Sequence, residues 1–553
     1  MRFASFAAAL MATAALSACA TGGGGGMTEA PEISAANLNE HIRTLSDDSF
    51  MGRGIATEGE TKTVAYLSEQ FAEAGFEPGG VNGGWTQPVT LNRFAASNVT
   101  GQFQAGDWSQ PVTQGQEVAF STRLPGQSVN LQDVPLVFVG YGIDAPERQW
   151  NDFKDVDVRG KVIVVLINDA DFEDPSMDVF GGKAMTYYGR WTYKYEEAAR
   201  KGAAGVLVVH ETEPASYGWT TVANSWGVPQ FDIERANAAA ERVPLEGWIQ
   251  RDLAVDLFQR GGQDFEALKA QARSRDFRPV ELTGVTLDAN FDVSTSSIQT
   301  SNVIARLPGS TQPDETILYT AHWDHIGVGE PDAEGDRIFN GAVDNATGTS
   351  ALIELARVYA AGPRPERSIV LIGFTAEESG LLGSEYYAAN PVYPLETTVA
   401  GFNLDGMGVY GGFNELSVVG FGQSELDERL ERAAATQGRS IAPDARPEAG
   451  SYYRSDHFPL VKRGVPMAYA EGGVTFRDDA DGARQARADE YGRIRYHQAA
   501  DEWSPDWDLT GMVEDIEIAW RVGNELANSR DWPGWKPGSE FRDVRLRSDA
   551  QRR

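Results

Sequence analysis

Cysteine is almost absent from this chain, with one residue, Cys19, in 553. Without a second thiol, an intramolecular disulfide framework is excluded, as are a cysteine zinc knot and a thiol nucleophile beyond position 19. Positive charge is in deficit: 48 Lys and Arg stand against 80 Asp and Glu, giving a formal net charge of -32. That balance excludes a nucleic-acid surface, which needs a basic footprint. Three catalytic motifs are missing, namely H-E-x-x-H, G-x-S-x-G and G-x-x-x-x-G-K-[ST]. Zincin, serine-hydrolase and phosphate-loop chemistries therefore lack their residues.

What is present describes a globular chain of more than one domain, since 41% hydrophobic and 10% aromatic residues over this length exceed one ordinary core. The start has the order of a secretory signal: Met1-Arg2, an apolar stretch over 3–16, then Leu16-Ser17-Ala18-Cys19. The stretch is too short for a comfortable membrane span. Leu16–Cys19 resembles the bacterial lipobox, which implies cleavage before Cys19 and acylation of its thiol and new amino terminus. Attachment to the membrane through an acylated Cys19 would follow, because two or more acyl chains anchor stably. Ala20 after the cysteine resembles the outer-membrane address of such lipoproteins. The glycine run in 21–28 reads as a flexible tether.

Apolar spacing predicts helices over 34–49 and 58–74, the first through Leu38, Ile42 and Leu45, the second through Val64, Leu67 and Phe71 with Gly75 as terminator. Strands at 134–140, 160–167 and 205–209 with a helix at 193–201 make a small α/β unit of their own. Gly140-Tyr141-Gly142 begins a dinucleotide fingerprint, but Pro146 and the polar residues after it do not continue as an apolar helix. The segments VGYGI, GKVIVVL and EEAARKGAAGVLVV resemble the protease-associated domain, a non-catalytic insert of secreted peptidases. Further strands at 302–307, 315–321, 368–374, 400–404 and 465–470 alternate with helices at 352–360, 381–387, 425–437 and 512–528. The fold class is therefore α/β, a mostly parallel twisted sheet with helices on both faces and an inserted small α/β domain. The domain reading is 1–18 signal, 19–33 tether, 34–95 first catalytic segment, 96–296 insert, 297–530 second catalytic segment, and 531–553 a polar, loosely ordered tail.

Chemistry gathers at predicted strand ends. His322-Trp323-Asp324 follows one strand, and a glycine-led loop delivers Asp344 just before a helix. Glu377-Glu378 follows a second strand, Asp405 a third, and His497 sits in a loop ahead of Asp501. All can converge on one crevice at the carboxyl edge of the sheet. Two adjacent carboxylates such as Glu377 and Glu378 repel unless a cation or a proton separates their fates. His322, Asp344, Glu378, Asp405 and His497 are nitrogen and oxygen donors that suit zinc, and five are too many for one open tetrahedral site but enough for two ions sharing a carboxylate.

The order H-x-D, D, E-E, D, H resembles the co-catalytic zinc aminopeptidases, a family that also holds glutamate carboxypeptidases and glutaminyl cyclases. The resemblance implies two zinc ions, with Asp344 bridging, Glu378 and His497 completing one site and His322 and Asp405 the other. It assigns Glu377 as general base and Asp324 as the group orienting His322, and it implies a cis Asp344–Asn345 peptide. Ser451–His457 resembles the loop that supplies an oxyanion-binding tyrosine, Tyr452 or, one residue on, Tyr453. Asp501 is expected to hold the far nitrogen of His497, and His41, His210, His325 and His457 are read as structural. The activity implied is removal of N-terminal residues from peptides. Carboxypeptidase action with Arg454 on a substrate carboxylate, another zinc amidohydrolase of the same ligand order, glutaminyl cyclisation and a non-catalytic receptor role are the alternatives.

Overall fold

The computed structural model describes residues 31–552. The signal stretch, Cys19 and the glycine tether lie outside the described residues. No described helix is long and apolar enough to cross a membrane.

The core of the catalytic frame is the strand Gln312–His322. It pairs in parallel with Arg367–Phe374 on one side, bringing His322 level with Phe374, and with Thr398–Asn403 on the other, bringing Thr320 level with Asn403. Met467–Ala470 continues the parallel set beside Thr398–Asn403. These strands are apolar on both faces because both are covered. Ile317, Tyr319 and Ala321 point to one side, against Leu38, Ile42, Leu352, Leu355 and Ile516. Leu318, Val370 and Ile372 point to the other, into a core with Tyr387, Leu460 and Val461. The alternation is the period of two that a pleated strand imposes.

The second helix forms where spacing predicts, and the first starts there but stops at Leu45, short of the expected 49, where Ser46 caps it and a 3-10 turn takes over. Ala35–Leu45 starts at Ser34, whose side chain accepts from Asn37 N, and Glu58–Ala74 ends on Gly75 in the left-handed region at φ 95°. Helix Ala346–Ala361 begins at Asn345, whose side-chain oxygen accepts from Gly348 N.

The insert has its own parallel strands, Ser128–Phe138, Val162–Leu166, Gly205–His210 and Leu245–Gln250. It is joined to the frame by two long antiparallel strands, Thr86–Ala105 and the 28-residue Val280–Leu307. The latter pairs with Ser128–Phe138 of the insert and, near its end, with Arg367–Phe374 of the frame. One sheet thus runs through both, and the edges read at 95/96 and 296/297 fall inside these strands.

Three expectations are corrected. Residues 31–33, assigned to the tether, already pack: Ile33 is buried and the Glu32 carbonyl accepts from Arg357 Nη2 at 2.7 Å. The helix Ala483–Ile494 has no counterpart in the sequence reading, because its residues are polar on every face and carry no apolar period. The polar C-terminal tail is ordered against the frame. Trp535 and Phe541 are buried, and Arg545 donates to the carbonyls of Leu395, Thr398 and Val399. Its polar composition conceals an arginine satisfied by the backbone at the amino-terminal end of strand Thr398–Asn403.

Candidate metal centre

His322 closes its strand with the ring almost fully buried. Nδ1 lies 3.1 Å from the Asp324 carbonyl oxygen, which fixes the proton there and leaves Nε2 free to act as a ligand. That Nε2 stands 3.2 Å from Asp344 Oδ1 and 3.0 Å from Asp405 Oδ1. On the other side of Asp344, Oδ2 is 3.2 Å from His497 Nε2, which is also 3.2 Å from Glu378 Oε2. The two oxygens of Asp344 therefore serve two separate triads, His322–Asp344–Asp405 and His497–Asp344–Glu378. Among the described residues, donor atoms of His322, Asp344 and Glu378 also approach one another closely enough to hold one ion.

A tetrahedral ion with bonds of ~2.0–2.1 Å sets its donors roughly 3.3 Å apart. The imidazole-to-carboxylate separations of 3.0–3.2 Å in both triads are close to that figure and are also those of hydrogen bonds. The electrostatics ask for positive charge. Burial opposes a charged His322, yet Asp405 and Glu377 hold its pKa well above the ordinary histidine value. Burial likewise opposes charge on His497, and hydrogen bonds to Asp344 and Glu378 lift it to about 10. Burial and the Asp344 charge push Glu378 up, yet His325 and His497 draw it down to about 2. Either protons on the imidazoles or cations between them must balance these carboxylates, and nitrogen and oxygen donors in this arrangement fit zinc.

Glu377 is placed differently from its neighbour. Its backbone N–H donates to Asp324 Oδ1 at 3.1 Å. Burial and the Asp405 and Glu378 charges push its pKa well above the usual carboxylate range, with His322 pulling the other way. The peptide bond Asp344–Asn345 is cis.

The groups around the ligands depart from expectation in four places. The Asp324 carboxylate is 3.9 Å from His322 Nδ1, so the backbone carbonyl orients the ring while the carboxylate holds the Glu377 backbone. Asp501 does not hold His497: its two oxygens accept from Val343 N at 3.0 Å and Asp344 N at 3.1 Å, steadying the loop that carries the shared aspartate. His325, read as structural, sets its Nδ1 2.6 Å from Glu378 Oε1, leaving Oε2 for the His497 side. Tyr452 is not brought to the cluster. Its ring lies on Gly420, where an added Cβ would come within 2.3 Å of it, and edge-on to His457 with centroids 4.8 Å apart. Tyr453 turns into the same aromatic core, against Phe458. Both lie in the 3-10 turn Ser451–Tyr453, which follows Gly450 at a left-handed φ of 69°, and both are buried. Tyr469, at the end of its strand, instead reaches the cluster, with its hydroxyl 3.4 Å from the Asp405 carbonyl. His41 and His210 make ordinary contacts, to the Tyr66 hydroxyl and the Tyr217 carbonyl.

Asp405 is held by a relay that spacing does not reveal. Thr320 Oγ1 donates to Asn403 Oδ1 at 2.8 Å, Asn403 Nδ2 to Ser455 Oγ at 2.7 Å, and Ser455 Oγ to Asp405 Oδ2. Such second contacts fix ligand orientation and tune affinity. Two strands and the loop of Ser455 contribute to the relay, and isolated hydroxyl and amide residues give no signal that marks them.

Residues 302–520 match the model of peptidase family M28. "Aminopeptidase YwaD" of Bacillus subtilis (strain 168) is 32% identical over 188 residues, which cover 33% of this chain and 38% of that protein. A "Probable zinc metalloprotease" of Pyrenophora teres f. teres (strain 0-1) is 36% identical over 111 residues, covering 20% of this chain and 23% of that protein. The chain thus spans well under half the length of these curated relatives. Among solved structures, an aminopeptidase from Aneurinibacillus sp. strain AM-1 superposes with a TM-score of 0.48 at 20% identity, covering 89% of this chain and 94% of that one.

Proposed function

We propose, from the match of residues 302–520 to the model of peptidase family M28, that the protein is a membrane-anchored exopeptidase with two zinc ions that removes N-terminal residues from peptides. The observation that carries this reading is the division of Asp344, one oxygen toward His322 and the other toward His497. His322 and Asp405 would hold one ion, His497 and Glu378 the other, with Asp344 shared. Zinc, when bound, supplies the positive charge that polarises a peptide carbonyl and makes water acidic near neutral pH.

The chain's own residues do the rest. Glu377 has a carboxylate free of both triads, backed by Asp324 through its own backbone N–H. With cations held beside it to offset the Asp405 and Glu378 charges that raise its pKa, its carboxylate would be ionised, and it would take the proton of the attacking water and return it to the leaving nitrogen, the role of a general base that becomes a general acid. Glu378, pinned by His325 on one oxygen, is kept ionised on the other. The Tyr469 hydroxyl, which donates to the Asp405 carbonyl, takes the place of Tyr452 in this reading as the candidate donor to the developing oxyanion. The names of the relatives, an aminopeptidase and a zinc metalloprotease, favour the same reading.

Anchoring rests on Leu16–Cys19 and an acylated Cys19 in a bacterial envelope. One experiment addresses both halves. Membranes from cells making the wild-type chain should hydrolyse aminoacyl p-nitroanilides but not their N-acetylated forms, and a Cys19→Ser chain should move that activity to the soluble fraction. Equal hydrolysis of blocked substrates would contradict the aminopeptidase reading, and Cys19→Ser activity that stays with the membranes would contradict the anchor.

A further inference from the structure

Arg53 lies outside the segment that carries the metal ligands, yet its guanidinium is fully buried directly behind them. Its nitrogens donate to four carbonyls: Nε to Trp323 at 2.9 Å, Nη1 to Leu45 at 2.8 Å and Asn340 at 2.6 Å, and Nη2 to Gly341 at 2.7 Å. Among the described residues its bonding partners are carbonyls and no carboxylate. Those carbonyls belong to three separate stretches of backbone. Trp323 follows His322, Asn340 and Gly341 open the loop of Asp344, and Leu45 ends the first helix. One rigid, planar fork therefore joins the two loops whose ligands must sit a fixed distance apart.

The segment that delivers Arg53 is built for that placement. Met51, Gly52, Arg53 and Ala56 all have positive φ, at 52°, 61°, 49° and 56°. This is a region that side chains other than glycine rarely adopt. Gly52 is wedged between the same loops: a Cβ there would lie 2.4 Å from the Phe339 carbonyl oxygen and 2.6 Å from that of Gly327. The carboxylates whose field reaches the guanidinium are Asp501, Asp344, Asp324 and Glu378. A permanent cation near a cation site works against metal binding by charge alone. What Arg53 contributes is geometry.

We infer that Arg53 is a positioning residue that sets the spacing between the His322 and Asp344 halves of the metal centre, making residues 51–56 a determinant of metal affinity. The inference rests on the metal-binding reading above. Lysine cannot reproduce it, because three donors radiating from one nitrogen cannot span four carbonyls held by a planar fork of five.

The test compares wild type, Arg53→Lys and Arg53→Met, each shown to be folded by circular dichroism. Zinc affinity is read by competition with a chromophoric chelator, and ligand geometry by the visible absorption of the cobalt-substituted protein. Both variants should bind zinc at least roughly tenfold more weakly, as loss of an orienting contact does, and both should shift the cobalt bands. A folded Arg53→Lys with wild-type affinity and spectrum overturns the inference, as does an Arg53→Met that binds zinc more tightly than wild type, which would make charge the operative property. Should neither variant fold, Gly52→Ala carries the test. It pushes the segment off the two loops while keeping the guanidinium, and it should show the same weakening and band shift; wild-type behaviour in folded Gly52→Ala overturns the inference. A wild-type chain that binds no zinc overturns the metal reading and this inference with it, whereas wild-type binding with unchanged variants overturns this inference alone.

Discussion

Adjacent in sequence, Glu377 and Glu378 are separated in duty by what surrounds them. Glu378 is claimed on both oxygens, by His325 and by the His497 side, while Glu377 is held only through its backbone. Glu377→Gln should therefore keep its zinc and lose activity by ~100-fold or more, the scale of a missing general base. Glu378→Gln should lose zinc first and activity as a consequence. Metal analysis beside turnover checks this, and two variants that retain metal and activity alike would show the division to be wrong. The positions of these residues are legible in the sequence because strand ends fix where a Cα lies. Side-chain direction is not. Tyr452 counts correctly back from Ser455-Asp456-His457, but its ring is buried on Gly420 rather than at the cluster. His325 is one residue past Asp324, and no spacing rule distinguishes a histidine that grips a ligand from one that fills a core. Asp501, expected on a side chain, is found on backbone N–H groups, which carry no letter in a sequence.

Elements with an apolar period are legible for the same physical reason that they fold. Arg367–Phe374 and Thr398–Asn403 are buried along their whole length, and an unbroken apolar run is what a covered parallel strand requires. The helix Ala483–Ile494 and the C-terminal segment have no such run, and the latter is held by two buried rings, Trp535 and Phe541, together with polar contacts. Glu540 is one of these. It accepts from Tyr187 N at 3.2 Å, lies 3.6 Å from Arg148 Nη2, and is driven up to about 7 by burial. Because the folded chain keeps this proton more tightly than the unfolded chain, the group's stabilisation is complete below the ordinary carboxyl pKa of about 4.3 and is lost as pH rises toward 7. Glu540→Gln, neutral at every pH, should match wild type in urea denaturation near pH 4 and exceed it at pH 8. A variant no more stable than wild type at pH 8 would remove Glu540 as the source of this pH dependence.

At the scale of the whole molecule, insert and frame share the strand Val280–Leu307 and are pinned again where they face each other. Lys462 pairs with Glu196 at 2.9 Å, Met185 N donates to the Pro447 carbonyl at 3.1 Å, and Tyr187 packs on Phe458. These contacts fix the insert against the segment 447–462, which includes the loop of Ser455. The first helix, through the Leu45 carbonyl on Arg53, and the strand ends of the frame all bear on the same five candidate ligands, for which two cations are proposed. The most direct test of that claim is to strip the purified protein of metal and titrate zinc back while following aminoacyl hydrolysis. Activity should be absent in the metal-free chain and reach its plateau at two zinc ions per chain; full activity without metal, or a plateau at one, would contradict the two-ion centre.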